Sequence, residues 1–458
     1  MEPTIIEGLA GFAAGLKFED LPPEVVSKAN DCFFDLVGCY YGALKRDNNP
    51  TIVKEIASFN PAEEVTIWGT GKKCGIAEAA LAMGTLSYHL EYDDGISVAG
   101  HWGSASIPAT FLSVQKHGGN GKALLTAIVT AYEVSTRISR MFSPRLLKNH
   151  IHFPCTMGAF AAVAGYAKGA NLGSSTLTGA LSLAGLFPVG AYSTATSGAQ
   201  GKGLYSGWPN YLGVNAVRLS QMGLTGDRDL MEHPDGFGNA VGLSAADDKL
   251  KEQALSKLGE EFRFMEVYFK PYPCCRWLHA PIHAVLHLMR ENGVTREDID
   301  KITILGPEFA MMYNTRENYE SKVTCQYSIP YSVGAAVHYG QLGLEEYDLP
   351  ARTNADLLAF IDRIDMEVDA ELQSQFPAVF AVKLQLQLKD GRVLEATEGT
   401  PWGPSNPPTK QELMEKFALV TKGVLTPEEV AQWNELYSGG FEQEGAFDKA
   451  AALLGIKK

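Results

Sequence analysis

The chain has 458 residues, 45% hydrophobic and 20% charged, which describes an ordered globular protein too long for one typical core and excludes a disordered one. A formal net charge of −14 argues against a nucleic-acid partner and against a basic membrane-binding surface. The seven cysteines are odd in number, thinly spread and without CxxC spacing, so neither a disulfide framework nor a structural zinc site is expected, and a reducing cytoplasm fits best.

Thr4-Ile-Ile-Glu7 is a capping-box pattern, and Glu2 and Glu7 stand where a secretory leader would carry positive charge, so the apolar run to Leu16 is predicted to be a first helix. No later stretch has the uninterrupted apolar length of a membrane span. Periodicity then predicts helices over 24–44, 77–88, 122–141, 157–168, 177–186 and 215–222. Alternation of useful length is missing before residue 260, so that portion is expected to be all-helical. Beyond Glu261 the texture changes: Lys301 to Leu305 and Val379 to Leu388 alternate as half-buried strands do, and Lys389-Asp-Gly391 turns the second into Arg392 to Ala396. Helices are predicted between these strands, over 281–292 and 331–339. The proline-rich stretch 400–408 reads as a linker, after which Thr426-Pro-Glu-Glu429 opens another helix. The predicted architecture is mainly α with an α+β part. A large helical domain spans 1–262, a smaller α+β lid domain spans 263–400, and C-terminal helices over 401–458 rejoin the first; the cleft between the domains is a usual place for a small-molecule site.

His89-Leu-Glu-Tyr-Asp-Asp-Gly95, followed by His101-Trp-Gly-Ser and Ile107-Pro-Ala109, sets two imidazoles and three carboxylates at the end of an alanine-rich helix. If the helix continues, positions 89 and 93 share a face. Asp93 and Asp94 at its C-terminus oppose the macrodipole, so helix stability does not explain them. Three readings stand: local hydrogen bonding with an Asp-Asp-Gly turn, a metal site of His89, Asp93 and His101 that no dense Cys/His pattern supports, and general acid/base chemistry.

Further along, Asn149-His-Ile-His152 precedes a small-residue helix, where His152 either caps or joins the free amides in holding a carboxylate. The glycine-rich segment Ser197 to Gly207 carries Lys202 but lacks P-loop spacing, leaving a surface loop or a loop that brings Lys202 to an anion. Lys270-Pro-Tyr-Pro-Cys-Cys-Arg-Trp-Leu-His279 is stiff and basic; Arg276 suits a carboxylate, while a solvated loop leading into a helix with His279, His283 and His287 on one face is the alternative. Cys274 and Cys275 read as packing residues. In Gln326-Tyr-Ser-Ile-Pro-Tyr331, Tyr331 either donates a proton or packs.

In this order, and with Asp35-Leu-Val-Gly38, Gly223-Leu-Thr-Gly226, Asn406-Pro-Pro408 and Lys416-Phe417, these segments resemble the MmgE/PrpD family, which includes 2-methylcitrate dehydratases, cis-aconitate decarboxylases and iminodisuccinate epimerases. The resemblance runs nearly end to end. It implies a cofactor-independent, homodimeric enzyme without a metal, acting on a small di- or tricarboxylate. Carried over by position, it puts catalytic roles on Asp93, His101, His152, Lys202, Lys270 and Tyr331; His89, Glu91, Asp94, Gly95, Arg276 and His279 are expected to contact substrate. Gly95 stands where many lyases of the family have threonine, Trp102 replaces a proline, and Gly203 and Tyr205 replace Arg and His, so the pocket is reshaped. The first expectation is a hydro-lyase, in which a base takes an α-proton and His101 or Tyr331 protonates the departing hydroxyl. An epimerase and a decarboxylase share its carbanionic intermediate, which Lys202, Lys270 and the histidines would stabilise. A polycarboxylate-binding protein would keep the cations but tolerate loss of His101.

Overall fold

The computed structural model describes residues 2–148, 151–186, 190–241, 248–376 and 379–456. The opening pattern forms the helix it predicts. Thr4 accepts from the Glu7 amide, the Glu7 carboxylate accepts from the Thr4 amide at 3.0 Å, and Ile5, Ile6, Leu9, Ala10 and Ala13 of Ile5–Gly15 are buried. Helices Pro23–Leu44, Ile76–His89, Gly121–Lys148, Phe153–Gly169 and Ser174–Ala184 fall on the predicted segments.

Two helices exceed what periodicity offered, Trp102–Lys116 with Pro108 inside it and Leu204–Gln221 with Pro209 inside it. Pro108 has no N–H for the carbonyl of Ser104 one turn back. Asn210 replaces it, donating to that carbonyl at 2.8 Å while its own Oδ1 accepts from the Ala109 amide at 3.1 Å. A Cβ at Gly84 would lie 2.4 Å from Asn210 Nδ2, so a glycine lets the Ile76–His89 helix close on this same junction.

The all-helical expectation before residue 260 needs one correction. Val65–Thr66 pairs with Lys73–Cys74, and Gly95–Ile96 pairs with Val267–Tyr268, in two-residue strands too short to alternate. The second pairing matters for the site, because it lays the acidic loop beside the Lys270 segment. Gly95 is required there by space, since a Cβ would stand 2.6 Å from the Tyr268 hydroxyl oxygen.

The larger sheet runs in the order Ile364–Val368, Ile299–Gly306, Ala381–Leu388, Val393–Gly399; the first pair is parallel and the others antiparallel. Gly391 at φ 90° makes the predicted Asp-Gly turn. Helix His279–Asn292 covers one face, burying Ile282 and Val285 with Ile302, Ile304, Val382 and Leu384 in one apolar cluster. The other main cluster gathers side chains from the N-terminal helices and from the helices after residue 410. Those last helices pack on Pro23–Leu44 through rings: Phe34 stacks on Phe417 and on Tyr437 at 4.4 and 4.1 Å. Tyr88 and Tyr205 lie on helices of the first group yet pack with the second cluster, marking the junction. No helix among the described residues is long and apolar enough to cross a membrane.

Candidate active site

The alanine-rich helix stops at His89, and Glu91 takes a left-handed backbone with φ 57°. Positions 89 and 93 therefore do not share a helical face, contrary to the sequence expectation. His89 instead pairs with Asp47 at 2.8 Å and does not line the cavity described below. Glu91 turns inward, 1% exposed, between the side-chain nitrogens of Lys202 and Lys270. Lys202 donates to its Oε2, and Lys270 donates to its Oε1 and to its backbone oxygen, both at 3.1 Å. Burial and the neighbouring Lys270 push Lys202 well below the ordinary lysine range, and its Nζ lies 4.2 Å from the centre of the Tyr88 ring.

Two residues on, Asp93 is fully buried; its Oδ2 accepts from Ser104 Oγ at 2.6 Å and stands 3.5 Å from His101 Nδ1, while Oδ1 is 3.9 Å from Lys270 Nζ. Burial alone would raise this carboxyl, but His101, Lys270 and Ser104 outweigh it and hold it below the usual carboxylate range. His101 Nδ1 donates to the backbone oxygen of Asp94 at 2.7 Å, an assignment from the hydrogen-bond network that leaves the lone pair of the neutral ring on Nε2. The Asp94 carboxyl points away from the cavity, accepts from the Tyr132 hydroxyl at 2.5 Å, and is pushed up to about 7 by burial.

His152 caps the Phe153–Gly169 helix; its Nδ1 accepts from the Cys155 amide at 3.3 Å, so Nε2 carries the proton. Burial and the nearby His101 lower it to about 3, and its ring stacks on Tyr205 at 3.9 Å. Asn149 and His150 of the same motif lie outside the described residues.

These groups meet at a cavity lined by Glu91, His101, His152 and Arg276 and by rings including Tyr88, Tyr192, Tyr268 and Tyr327. Lys202, Lys270 and Asp93 stand directly behind this wall through the contacts above. Arg276 lies 4.3 Å from the Tyr268 ring centre and donates to the backbone oxygens of Phe269 and Pro401 at 3.2 and 2.5 Å. His279 is buried with Nε2 3.2 Å from the Cys274 oxygen, away from the cavity wall. Tyr331 also lies elsewhere, donating to the Glu346 oxygen at 2.7 Å within the second apolar cluster. Four positions earlier in its motif, Tyr327 does line the cavity, and Gln326 ties that turn to the oxygens of Leu90 and Pro273 at 2.9 and 2.8 Å. Sequence reading missed Tyr327, Tyr192 and Cys275; the Gln326 to Tyr331 motif was the available signal, but two tyrosines in one motif gave no register. Among the described residues no group of three or more His, Cys, Asp or Glu side chains converges as a metal site.

The arrangement is a cavity-lining histidine backed by a buried carboxylate, with a second, neutral histidine on the same wall and a lysine–glutamate–lysine cluster beside it, where helical and sheet-bearing parts meet. The MmgE/PrpD N-terminal domain matches residues 7–248 and the MmgE/PrpD C-terminal domain matches residues 272–437, and the chain belongs to the MmgE/PrpD family. It is similar to cis-aconitate decarboxylase-like protein oryM of Aspergillus oryzae, 22% identical over 93% of this chain and 92% of that one. Cis-aconitate decarboxylase of Aspergillus terreus strain NIH 2624 is 22% identical over 93% of this chain and 91% of its own. The Homo sapiens cis-aconitate decarboxylase is 23% identical over 93% of this chain and 89% of its own.

Proposed function

We propose that the protein is a lyase that acts on a small polycarboxylate by moving a proton at the carbon beside a carboxylate and eliminating water. The observation that carries this reading is the His101 ring. Its Nδ1 is engaged by the Asp94 oxygen and the Asp93 carboxylate, so Nε2 is the basic atom of a cavity-lining ring, and the buried carboxylate stabilises the imidazolium formed when a proton is taken. Neutral His152, with its proton on Nε2, hydrogen-bonds the departing hydroxyl, and the proton taken by His101 passes to that hydroxyl so that it leaves as water. Negative charge gathers on the substrate carboxylate as the carbanion forms, and Arg276 on the cavity wall, with Lys270 behind it, would supply the positive charge that stabilises it.

Loss of carbon dioxide is the second reading, favoured by the names of the relatives. There His101 begins protonated and gives its Nε2 proton to the carbanion that departing carbon dioxide leaves behind. The test is incubation with citrate, cis-aconitate and succinate-type acids in heavy water, followed by NMR of the products. Water loss from the hydroxy acid with solvent-sensitive rates supports the first reading and carbon dioxide release the second; deuterium uptake with inversion and no elimination points to an epimerase. If no acid exchanges or reacts and His101→Ala binds them as the wild type does, the protein is a carboxylate-binding protein and both lyase readings fall.

A further inference from the structure

The cavity has two unlike halves. One part of its wall carries Glu91 and His101, backed by Lys202, Lys270 and Asp93 in one connected set, and His152 and Arg276 line it as well. The rest of its wall includes Val98, Pro154, Tyr192, Trp277, Phe309 and Tyr327. Tyr327 joins the halves, its ring centre 5.4 Å from Lys202 Nζ. Trp277 and Phe309 meet edge to face at 4.9 Å, and Phe380 and Phe376 back them at 4.7 and 5.1 Å, so this half is a packed aromatic surface. A carboxylate pressed against the Trp277 and Phe309 rings would lose water and gain no charged partner from them. The cations are also largely committed: two lysines share one glutamate, and Arg276 donates to backbone oxygens. That supply suits one or two carboxylates better than three.

Val98 adds an independent observation. It sits at φ 54° in the turn that Ala99 closes by donating to the Ile96 oxygen at 3.0 Å. Glycine suits that left-handed position, and a β-branched side chain there is strained. Yet Val98 lines the cavity. Strain kept at a cavity wall marks a side chain held for what it contacts.

We propose that the substrate is a carboxylic acid bearing an apolar substituent of several carbons, which lodges against Trp277 and Phe309, and that Val98 selects for it; this rests on reading the cavity as the substrate site. The test is calorimetric binding of unreactive probes: succinate, 2-butylsuccinate, 2-benzylsuccinate and tricarballylate. Each buried methylene strengthens binding roughly fourfold, so the butyl and benzyl acids are expected to bind about tenfold or more tighter than succinate and tricarballylate. Val98→Gly gives the turn the residue it prefers, so its melting temperature should hold or rise while the butyl-to-succinate affinity ratio falls about threefold or more. Equal or tighter binding of succinate or tricarballylate overturns the proposal, as does an unchanged ratio in Val98→Gly. Preferential binding of the substituted acids with no turnover of any acid sinks the lyase reading alone, whereas turnover of tricarboxylates without that preference sinks this one alone.

Discussion

Lys270 donates twice to Glu91, to the side-chain Oε1 and to the backbone oxygen, at 3.1 Å each. One ammonium therefore fixes both the carboxylate and the left-handed turn that carries it, while Lys202 holds the other carboxylate oxygen. All three side chains are almost completely buried, and Glu91 is the carboxylate both lysines share, so its loss strands buried positive charge.

Glu91→Gln should accordingly destabilise the protein by about 3–5 kcal/mol, the usual result of breaking a buried charge network on one side. The double variant Glu91→Gln, Lys270→Met should recover part of that loss. Denaturant unfolding of wild type, Glu91→Gln, Lys270→Met and the double variant measures the coupling; purely additive losses would contradict the pairing.

His101→Asn should lower turnover about 10²- to 10⁴-fold while leaving the melting temperature within a few degrees of wild type. Ser104 donates to Asp93 at 2.6 Å and does not reach the substrate side, so Ser104→Ala should cost far less and should shift the alkaline or acid limb of the pH–rate profile by loosening Asp93. Steady-state kinetics across pH separates the two effects.

Asp94 gives stability a pH signature. Its native value is raised to about 7 from an ordinary 3.8, so the native state holds a proton that the unfolded chain releases. Its contribution is therefore full below pH ~4 and is lost as pH rises through about 7. His152, lowered to about 3, acts oppositely, weakening the fold as pH falls below the ordinary histidine range. Asp94→Asn isolates the first effect. Wild type minus variant stability should be more favourable at pH 5 than at pH 8, read from thermal melts at both.

Two tyrosines of one motif should part company. Tyr331→Phe removes a hydrogen bond to the Glu346 oxygen and should cost about 1 kcal/mol of stability with turnover near wild type. Tyr327→Phe, at the cavity wall beside Lys202, should alter KM or kcat with little change in stability. The reverse outcome would return Tyr331 to the reaction.

The helices were legible because their apolar faces and caps are local: Thr4 with Glu7 and Thr426 with Glu429 close capping boxes in the structure as their spacing implies. Trp102–Lys116 was not, because Pro108 forbids it locally and Asn210, about a hundred residues away, makes it possible. The site divides in the same way. His101, His152, Lys202 and Lys270 could be picked out by residue type and motif. Glu91, rather than Asp93, proves to be the carboxylate on the cavity wall, because a left-handed turn after His89 reverses which side chains face inward. A turn of that kind leaves no periodic trace when the residue is not glycine.

The fold also dictates when in the life of the chain a cavity can exist. Lys416 pairs with Asp35 at 2.7 Å and donates to the Tyr92 oxygen at 2.7 Å, between Glu91 and Asp93. The acidic loop thus takes its brace from a segment that leaves the ribosome more than three hundred residues after it. A nascent chain that has already emitted every candidate catalytic group still lacks the strut beneath them. The acidic loop therefore gains its Lys416 brace only after that distant segment has been made.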